Sequence, residues 1–158
     1  MHFYHQFDTP VGSLVLVASE SHLLRLYFPN TCPKEIRMTA TPLLKEGQQQ
    51  LLAYFSGELR EFSLPYQTEK SQTACLGVLS AIAQIPYGEV WTYGQVGSFS
   101  AYPPRAVGRV CHSNRLPIIV PCHRVCGKDG TLKGYAGGLS LKKYLLDLEN
   151  PHHGYTVN

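Results

Sequence analysis

The 158-residue sequence predicts an α+β protein in two halves, a small strand-rich N-terminal half and a mostly helical C-terminal half. Three observations carry this prediction. Between residues 11 and 28, short apolar and β-branched runs alternate with turn residues. From residue 76 onward, apolar residues recur at helical spacing. Between the two, at residues 65–71, the composition turns polar with Gln67, Thr68, Glu69 and Lys70, which sets the halves at 1–70 and 71–158. Hydrophobic residues make up 44% and charged residues only 16%, enough for a core and too little charge for a disordered chain.

Taken in order, Thr9-Pro10-Val11-Gly12 reads as a turn, residues 13–18 as a strand, Ser19-Glu20-Ser21-His22 as a second turn and residues 23–28 as a further strand. Leu43, Leu44, Leu51, Leu52 and Phe55 then fall near helical spacing and stop at Ser56-Gly57. In the second half Leu76, Leu79, Ile82, Ala83 and Ile85 form a helical stripe ended by Pro86-Tyr87-Gly88. Thr92 is a good N-cap for a short helix through Phe99. Pro103-Pro104 can open the next helix, because proline at the first helical position forfeits no hydrogen bond. That helix, 105–112, is predicted to bury Ala106, Val107, Val110 and Cys111 and to expose Arg105, Gly108, Arg109 and His112. Two short helices around a tight turn, the second basic outside, have the pattern of a helix-turn-helix, a pattern many helical pairs share. Residues 117–121 read as a buried strand with proline at each end, delivering Cys122-His123-Arg124-Val125-Cys126 to its carboxyl end. A glycine-rich loop, 127–138, follows, and a last helix turns Leu141, Leu145, Leu146 and Leu148 inward before Glu149.

The apolar runs fall far short of the roughly 18 residues of a membrane span. The first eight residues lack a basic region followed by an apolar one, so no export signal is read there. Five cysteines without such a signal point to reduced thiols in an intracellular, cytoplasmic protein. The net charge of +3 is unevenly spread: residues 1–79 hold six basic and seven acidic side chains, residues 80–158 eight and four. Six basic residues against Asp129 alone within 105–133 suit a polyanion, although composition by itself favours the blander reading of a solvated face.

Cys122 beside His123 has the make-up of a nucleophile with a proton acceptor at hand, since a thiol of ordinary pKa about 8.5 gains from a base at neutral pH. Taken on its own, Cys122 reads first as a small buried filler, as most cysteines are. Cys111-His112 with Cys122-His123-x-x-Cys126 also offers zinc-type ligands, but the spacing matches no usual finger.

Ile119-Val120-Pro121-Cys122-His123-Arg124-Val125 resembles the active-site signature of the O6-alkylguanine-DNA alkyltransferases. Ile85-Pro86-Tyr87-Gly88-Glu89-Val90 with Thr92-Tyr93, Arg105-Ala106-Val107-Gly108, Asn114, Gly134-Tyr135-Ala136-Gly137-Gly138 and a helix ending in Glu149 match in order, covering most of residues 76–149. Thr9-Pro-Val-Gly-Ser-Leu and Phe55-Ser-Gly57 extend the likeness more loosely into the first half. The resemblance implies a ribonuclease H-like N-terminal half and a winged-helix-like helix-turn-helix in the second. It implies direct, single-turnover repair: transfer of an alkyl group from O6-alkylguanine, with O4-alkylthymine as a further substrate, to the cysteine. Carried across residue by residue, Cys122 matches the nucleophile, His123 the histidine that activates it through a water, and Glu149 the carboxylate that orients the histidine. Asn114 matches the hinge asparagine and Tyr135 the tyrosine that bonds guanine N3. Val125 and Ala136, with Tyr93 and Pro117, fall at substrate-binding positions.

The partner implied is double-stranded DNA, bound through the minor groove with the target base flipped out. There Arg105 matches the intercalating arginine and Tyr93 the tyrosine that pushes the target phosphate. Ala106, Gly108 and Arg109 complete the DNA-facing helix, small residues letting its backbone come close. The turn between Tyr93 and Arg105 is shorter than in many members, and Pro103-Pro104 stands where small residues are common. No cofactor is implied, because the leaving guanine needs only a proton, and no metal is expected with Cys32 the only cysteine in residues 1–74. A monomer is expected. Lys133, in the loop before Tyr135, is expected to restrict bulky adducts. The rival readings are a lesion-binding protein that does not repair, a DNA-binding regulator and a thiol hydrolase.

Overall fold

A computed structural model describes residues 1–67, 73–132, 134–135 and 137–156, with the backbone alone for 73–75. The chain divides into two compact units, Met1–Thr68 and Glu69–Asn158.

In the first unit, strands β1 (Phe3–Thr9), β2 (Gly12–Ala18) and β3 (Leu23–Tyr27) form an antiparallel meander. The β1–β2 register runs from Phe3 opposite Ala18 to Thr9 opposite Gly12, closing over the two-residue turn Pro10-Val11. Because β2 is central, residues 14–18 are all buried, which explains the unbroken apolar run there. Helix α1 (Pro42–Phe55) is capped by Thr41, whose hydroxyl accepts the Leu44 N–H at 3.3 Å. Its Leu44 and Leu51 are fully buried, and Gly47 lets it approach the sheet: a Cβ there would lie 2.7 Å from a Leu16 methyl. Strand β1 went unread in the sequence because it is an edge strand carrying His5, Gln6 and Asp8, with Phe7 as its buried residue.

The second unit holds α2 (Thr73–Ala83), β4 (Trp91–Thr92), α3 (Tyr93–Ser100), α4 (Pro104–Ser113), a 3₁₀ turn at Cys122–Arg124, β5 (Val125–Cys126) and α5 (Leu139–Glu149). Thr92 and Gln95 make a reciprocal capping box: the Gln95 N–H donates to the Thr92 hydroxyl and the Thr92 N–H to the Gln95 side chain. Helix α3 ends at Ala101 in the left-handed region (φ 64°), and the Tyr102 N–H returns to the Gly97 carbonyl at 3.0 Å. The turn into α4 passes so close that a Cβ on Gly97 would sit 2.6 Å from the Tyr102 carbonyl oxygen. Pro104 begins α4, which buries Val107, Val110 and Cys111 and exposes Arg105, Arg109 and His112, with Ala106 and Gly108 half-buried. Strands β4 and β5 pair in parallel, Trp91 with Val125 and Thr92 with Cys126. Among the described residues no helix is long and apolar enough to cross a membrane.

The expected strand at residues 117–121 is instead a tight turn. Pro117 and Val120 form an isolated bridge within it, and the Val120 N–H donates to the Leu116 carbonyl. Two prolines lack the N–H groups a ladder needs. Ile118 sits at φ 74°, which no strand accommodates.

Candidate active site

The turn after α4 is built around one amide side chain. Asn114, the C-cap of α4, accepts the Leu116 N–H on Oδ1 at 3.0 Å, while Nδ2 donates to the Val120 carbonyl at 3.0 Å and lies 3.1 Å from Cys122 Sγ. The left-handed Ile118, a β-branched residue that is 1% exposed, carries strain on the order of 1–3 kcal/mol, held in place by this side-chain clamp and by burial. Pro121, at φ −82° and ψ 60°, is the centre of an inverse γ-turn closed by the Cys122 N–H on the Val120 carbonyl at 2.8 Å. Cys122 therefore sits on a 3₁₀ turn rather than at a strand end. Its placement beside His123 follows the turn, not strand alternation.

Beneath the turn, Glu149 at the end of α5 receives four donors. Oε1 accepts from Arg124 Nε at 2.7 Å and the Gly88 N–H at 3.3 Å; Oε2 accepts from Arg124 Nη2 at 3.0 Å and lies 2.7 Å from His123 Nε2. Arg124 spends its remaining arm on the Ile85 carbonyl at 2.7 Å. An ionised carboxylate offers about four acceptor sites, and all are used. Burial works to raise the Glu149 carboxyl, but His123 and Arg124 outweigh it and hold the group below the usual carboxylate range. Burial lowers the His123 imidazole, against the pull of Glu149. The pair is therefore a neutral imidazole on a carboxylate. Since the carboxylate can only accept, the histidine proton is on Nε2 and the lone pair on Nδ1.

Desolvation pushes the Cys122 thiol up to about 11, resisted by the Asn114 hydrogen bond and by the positive charge of Lys142. At neutral pH the sulfur is a thiol that must hand its proton on before it can attack. Lys142, fully buried on α5, donates to the Val125 carbonyl at 2.6 Å and stands 6.0 Å from the centre of the Tyr93 ring. Burial lowers the Lys142 amine from its usual value, and Cys111 and Cys126, buried near the same side chain, are likewise held as thiols by desolvation. The Tyr135 phenol, buried as well, is raised well above its ordinary value, first by desolvation and then by the neighbouring Cys122 and Glu149. It stays a neutral donor.

Of the residues singled out in the sequence, Cys122, His123, Asn114 and Glu149 are joined by hydrogen bonds or through the turn. Tyr135 is electrostatically coupled to them, and Pro117 is buried in the turn itself. Val125 lies next along the chain in β5. Tyr93 opens α3 beside Gly108, and Arg105 and Arg109 lie on the exposed side of α4. Ala136 and Lys133 lie outside the described residues. Two buried residues of this network escaped the sequence reading. Arg124 was counted with the basic patch but is 7% exposed and forked on Glu149. Lys142 was passed over, although it falls three, four and seven residues before Leu145, Leu146 and Glu149, which puts it on the inward stripe.

Family models match both units: the DNA binding domain of 6-O-methylguanine DNA methyltransferase over residues 75–151, and the ribonuclease-like domain of the same family over residues 2–68. The constitutive methylated-DNA–protein-cysteine methyltransferase of Bacillus subtilis is 38% identical over 94% of this chain and 96% of its own length. The chain belongs to the methylated-DNA–protein-cysteine methyltransferase family. A Methanosarcina barkeri methyltransferase of this family is 39% identical over 93% of this chain and 96% of its own. The crystal structure of the Mycobacterium tuberculosis O6-methylguanine methyltransferase superposes with a TM-score of 0.85 at 37% identity, covering 96% of this chain and 94% of that one. The M. tuberculosis protein in complex with DNA matches equally, with a TM-score of 0.85 at 37% identity over 94% and 93% of the two chains. The α+β fold with a ribonuclease-like N-terminal unit and a helical DNA-binding unit is thus that of the methyltransferase family.

Proposed function

We propose that this chain reverses alkylation damage by moving an alkyl group from O6-alkylguanine in double-stranded DNA to Cys122, once per molecule. The observation that carries the proposal is the Cys122 thiol held by Asn114 beside a neutral His123 whose proton is committed to Glu149. In the reaction, the thiol proton passes through a water to Nδ1 of His123. The sulfur then attacks the alkyl carbon in line, and the C–O bond breaks with its electrons passing to the base. Guanine takes up one proton and S-alkylcysteine remains. A thioether is no leaving group, so the protein is consumed, and no cofactor enters the balance.

A sulfur 2% exposed cannot meet a base stacked in a duplex, so the lesion must leave the stack. The neutral Tyr135 phenol then donates to guanine N3 as charge builds on the ring. Main-chain groups of Val125 and Ala136 read the base edge, and Pro117 walls the pocket. Helix α4 enters the minor groove, Arg105 fills the vacated stack, Ala106 and Gly108 allow the close approach, Arg109 faces phosphate, and Tyr93 presses on the target phosphate. O4-alkylthymine fits the same chemistry with a smaller ring. The protein acts as a monomer inside the cell.

Intact mass and peptide mapping after mixing with duplex DNA carrying one O6-methylguanine test this. One methyl on Cys122, guanine restored and no reaction in Cys122→Ala are expected. Tight binding without transfer would make the chain a lesion sensor instead, and repeated turnover a hydrolase.

A further inference from the structure

The chain continues past α5 and folds back on that helix and on residues 130–132. Asn150 caps the helix and its Oδ1 accepts the His152 N–H at 3.0 Å. His153 Nε2 lies 2.7 Å from Asp147 Oδ1 on α5, and His153 Nδ1 accepts the Tyr155 N–H at 2.9 Å. Tyr155 packs on the buried cluster of Cys126, Leu132 and Leu146. Thr156 then runs parallel to Thr131: the Leu132 N–H donates to the Thr156 carbonyl at 2.9 Å, and the Thr156 N–H donates to the Gly130 carbonyl at 3.1 Å. The segment so held, residues 127–132, leads within three residues to Tyr135. Its own Gly130-to-Gly127 bond is long, at 3.4 Å.

We infer that residues 151–156 are a positioning strap for the loop that brings Tyr135 to the site, with Tyr155 as its anchor and the Thr156 main chain as its clasp. The inference rests on the proposal above that Tyr135 receives the flipped base. Residues 127–132 include Gly127 and Gly130, whose backbones have more freedom to lose on ordering than those of other residues. The strap orders this stretch in advance, and does so from α5, the helix that also supplies Lys142 and Glu149. The approach to Tyr135 and the Glu149 carboxylate are thereby both referred to α5, and the ordering cost of base binding falls. The strap takes no part in the chemistry at sulfur. Its effect belongs to recognition of the base, not to the rate at saturation.

Thr156 is exposed and acts through its main chain, so Thr156→Pro removes one donor without touching the core, while Thr156→Ala keeps it. Single-turnover transfer would be measured against concentration of O6-methylguanine duplex. Amide exchange would be followed at Leu132, and Cys122 labelling with a small disulfide reagent. In Thr156→Pro, transfer at low DNA should fall roughly three- to tenfold, the size of one net hydrogen bond. The saturating rate and Cys122 labelling should stay unchanged, Leu132 should exchange faster, and Thr156→Ala should match the wild type. Equal transfer in Thr156→Pro and wild type overturns the strap. So does a saturating rate that falls as far as the low-DNA rate, or an unfolded Thr156→Pro protein, which would make the tail part of the core. A wild-type protein that transfers nothing refutes the underlying function instead, while Leu132 exchange still reports whether the clasp exists.

Discussion

Asn114 Nδ2 lies 3.1 Å from Cys122 Sγ and 3.0 Å from the Val120 carbonyl, so one amide both closes the turn after α4 and touches the sulfur. The end of α4 and the Cys122 sulfur are thus fixed by the same side chain. Replacing it with Ala removes both donors. The thiol, already held at about 11 by burial, should move higher still, and transfer should slow by about tenfold or more, the worth of one hydrogen bond to a developing charge. Asn114→Asp should be slower again, since a carboxylate beside the sulfur opposes thiolate formation. Thiolate absorbance against pH, with single-turnover rates, checks the order wild type, Ala, Asp.

Glu149→Gln tests the closed set of four donors. The amide can accept on one atom only and presents N–H groups to Arg124 or His123, which are donors themselves. Leaving Arg124 buried without its counter-charge should cost about 3–5 kcal/mol, measured by urea unfolding. The same variant frees the histidine to place its proton on either nitrogen, and transfer should fall with it.

The acid side of the pH profile follows from His123 and Glu149. His123 is lowered in the folded protein, so the unfolded chain binds its proton more readily. Stability from this group is complete above the ordinary histidine value of about 6.5 and declines as pH falls below it. Glu149 is also lowered, so its contribution is complete above about 4.3 and is lost as pH drops toward the folded value. If transfer runs through neutral His123 as proposed, its rate should be flat near neutrality and fall in acid, at a pH below 6.5. A rate that instead climbs steadily from neutral pH toward 11 would mean that the thiol ionises without histidine. Rates on methylated duplex and denaturant midpoints across pH 4–9 separate the two.

Gly97→Ala should damage DNA binding more than sulfur chemistry. A methyl 2.6 Å from the Tyr102 carbonyl forces the α3–α4 turn apart, at a cost of about 1–3 kcal/mol. Fluorescence anisotropy with duplex DNA should show weaker binding, while labelling of Cys122 by a small reagent stays near wild type.

Much of the architecture was legible locally. Thr92 as an N-cap, Pro104 at a first helical position and apolar stripes at helical spacing specify their helices through short-range capping and burial, which neighbours in sequence largely decide. The run 117–121 was misread because β-branched apolar residues announce burial without announcing extension. Asn114, three residues upstream, and a left-handed Ile118 turn the same residues into a loop.

The sequence by itself determined the two-part α+β plan, the reactive string around Cys122 and the carboxylate at the end of the last helix. Only the tertiary structure decided that Arg124 is a buried fork rather than a surface charge, that Lys142 lies inside among three thiols, and that the tail clasps the loop before Tyr135. The physical reason is range. Helix caps and hydrophobic periods are set by residues a few positions apart, whereas the protonation of Cys122, His123 and Glu149 is set by desolvation and charges brought together from positions as far apart as Gly88 and Glu149.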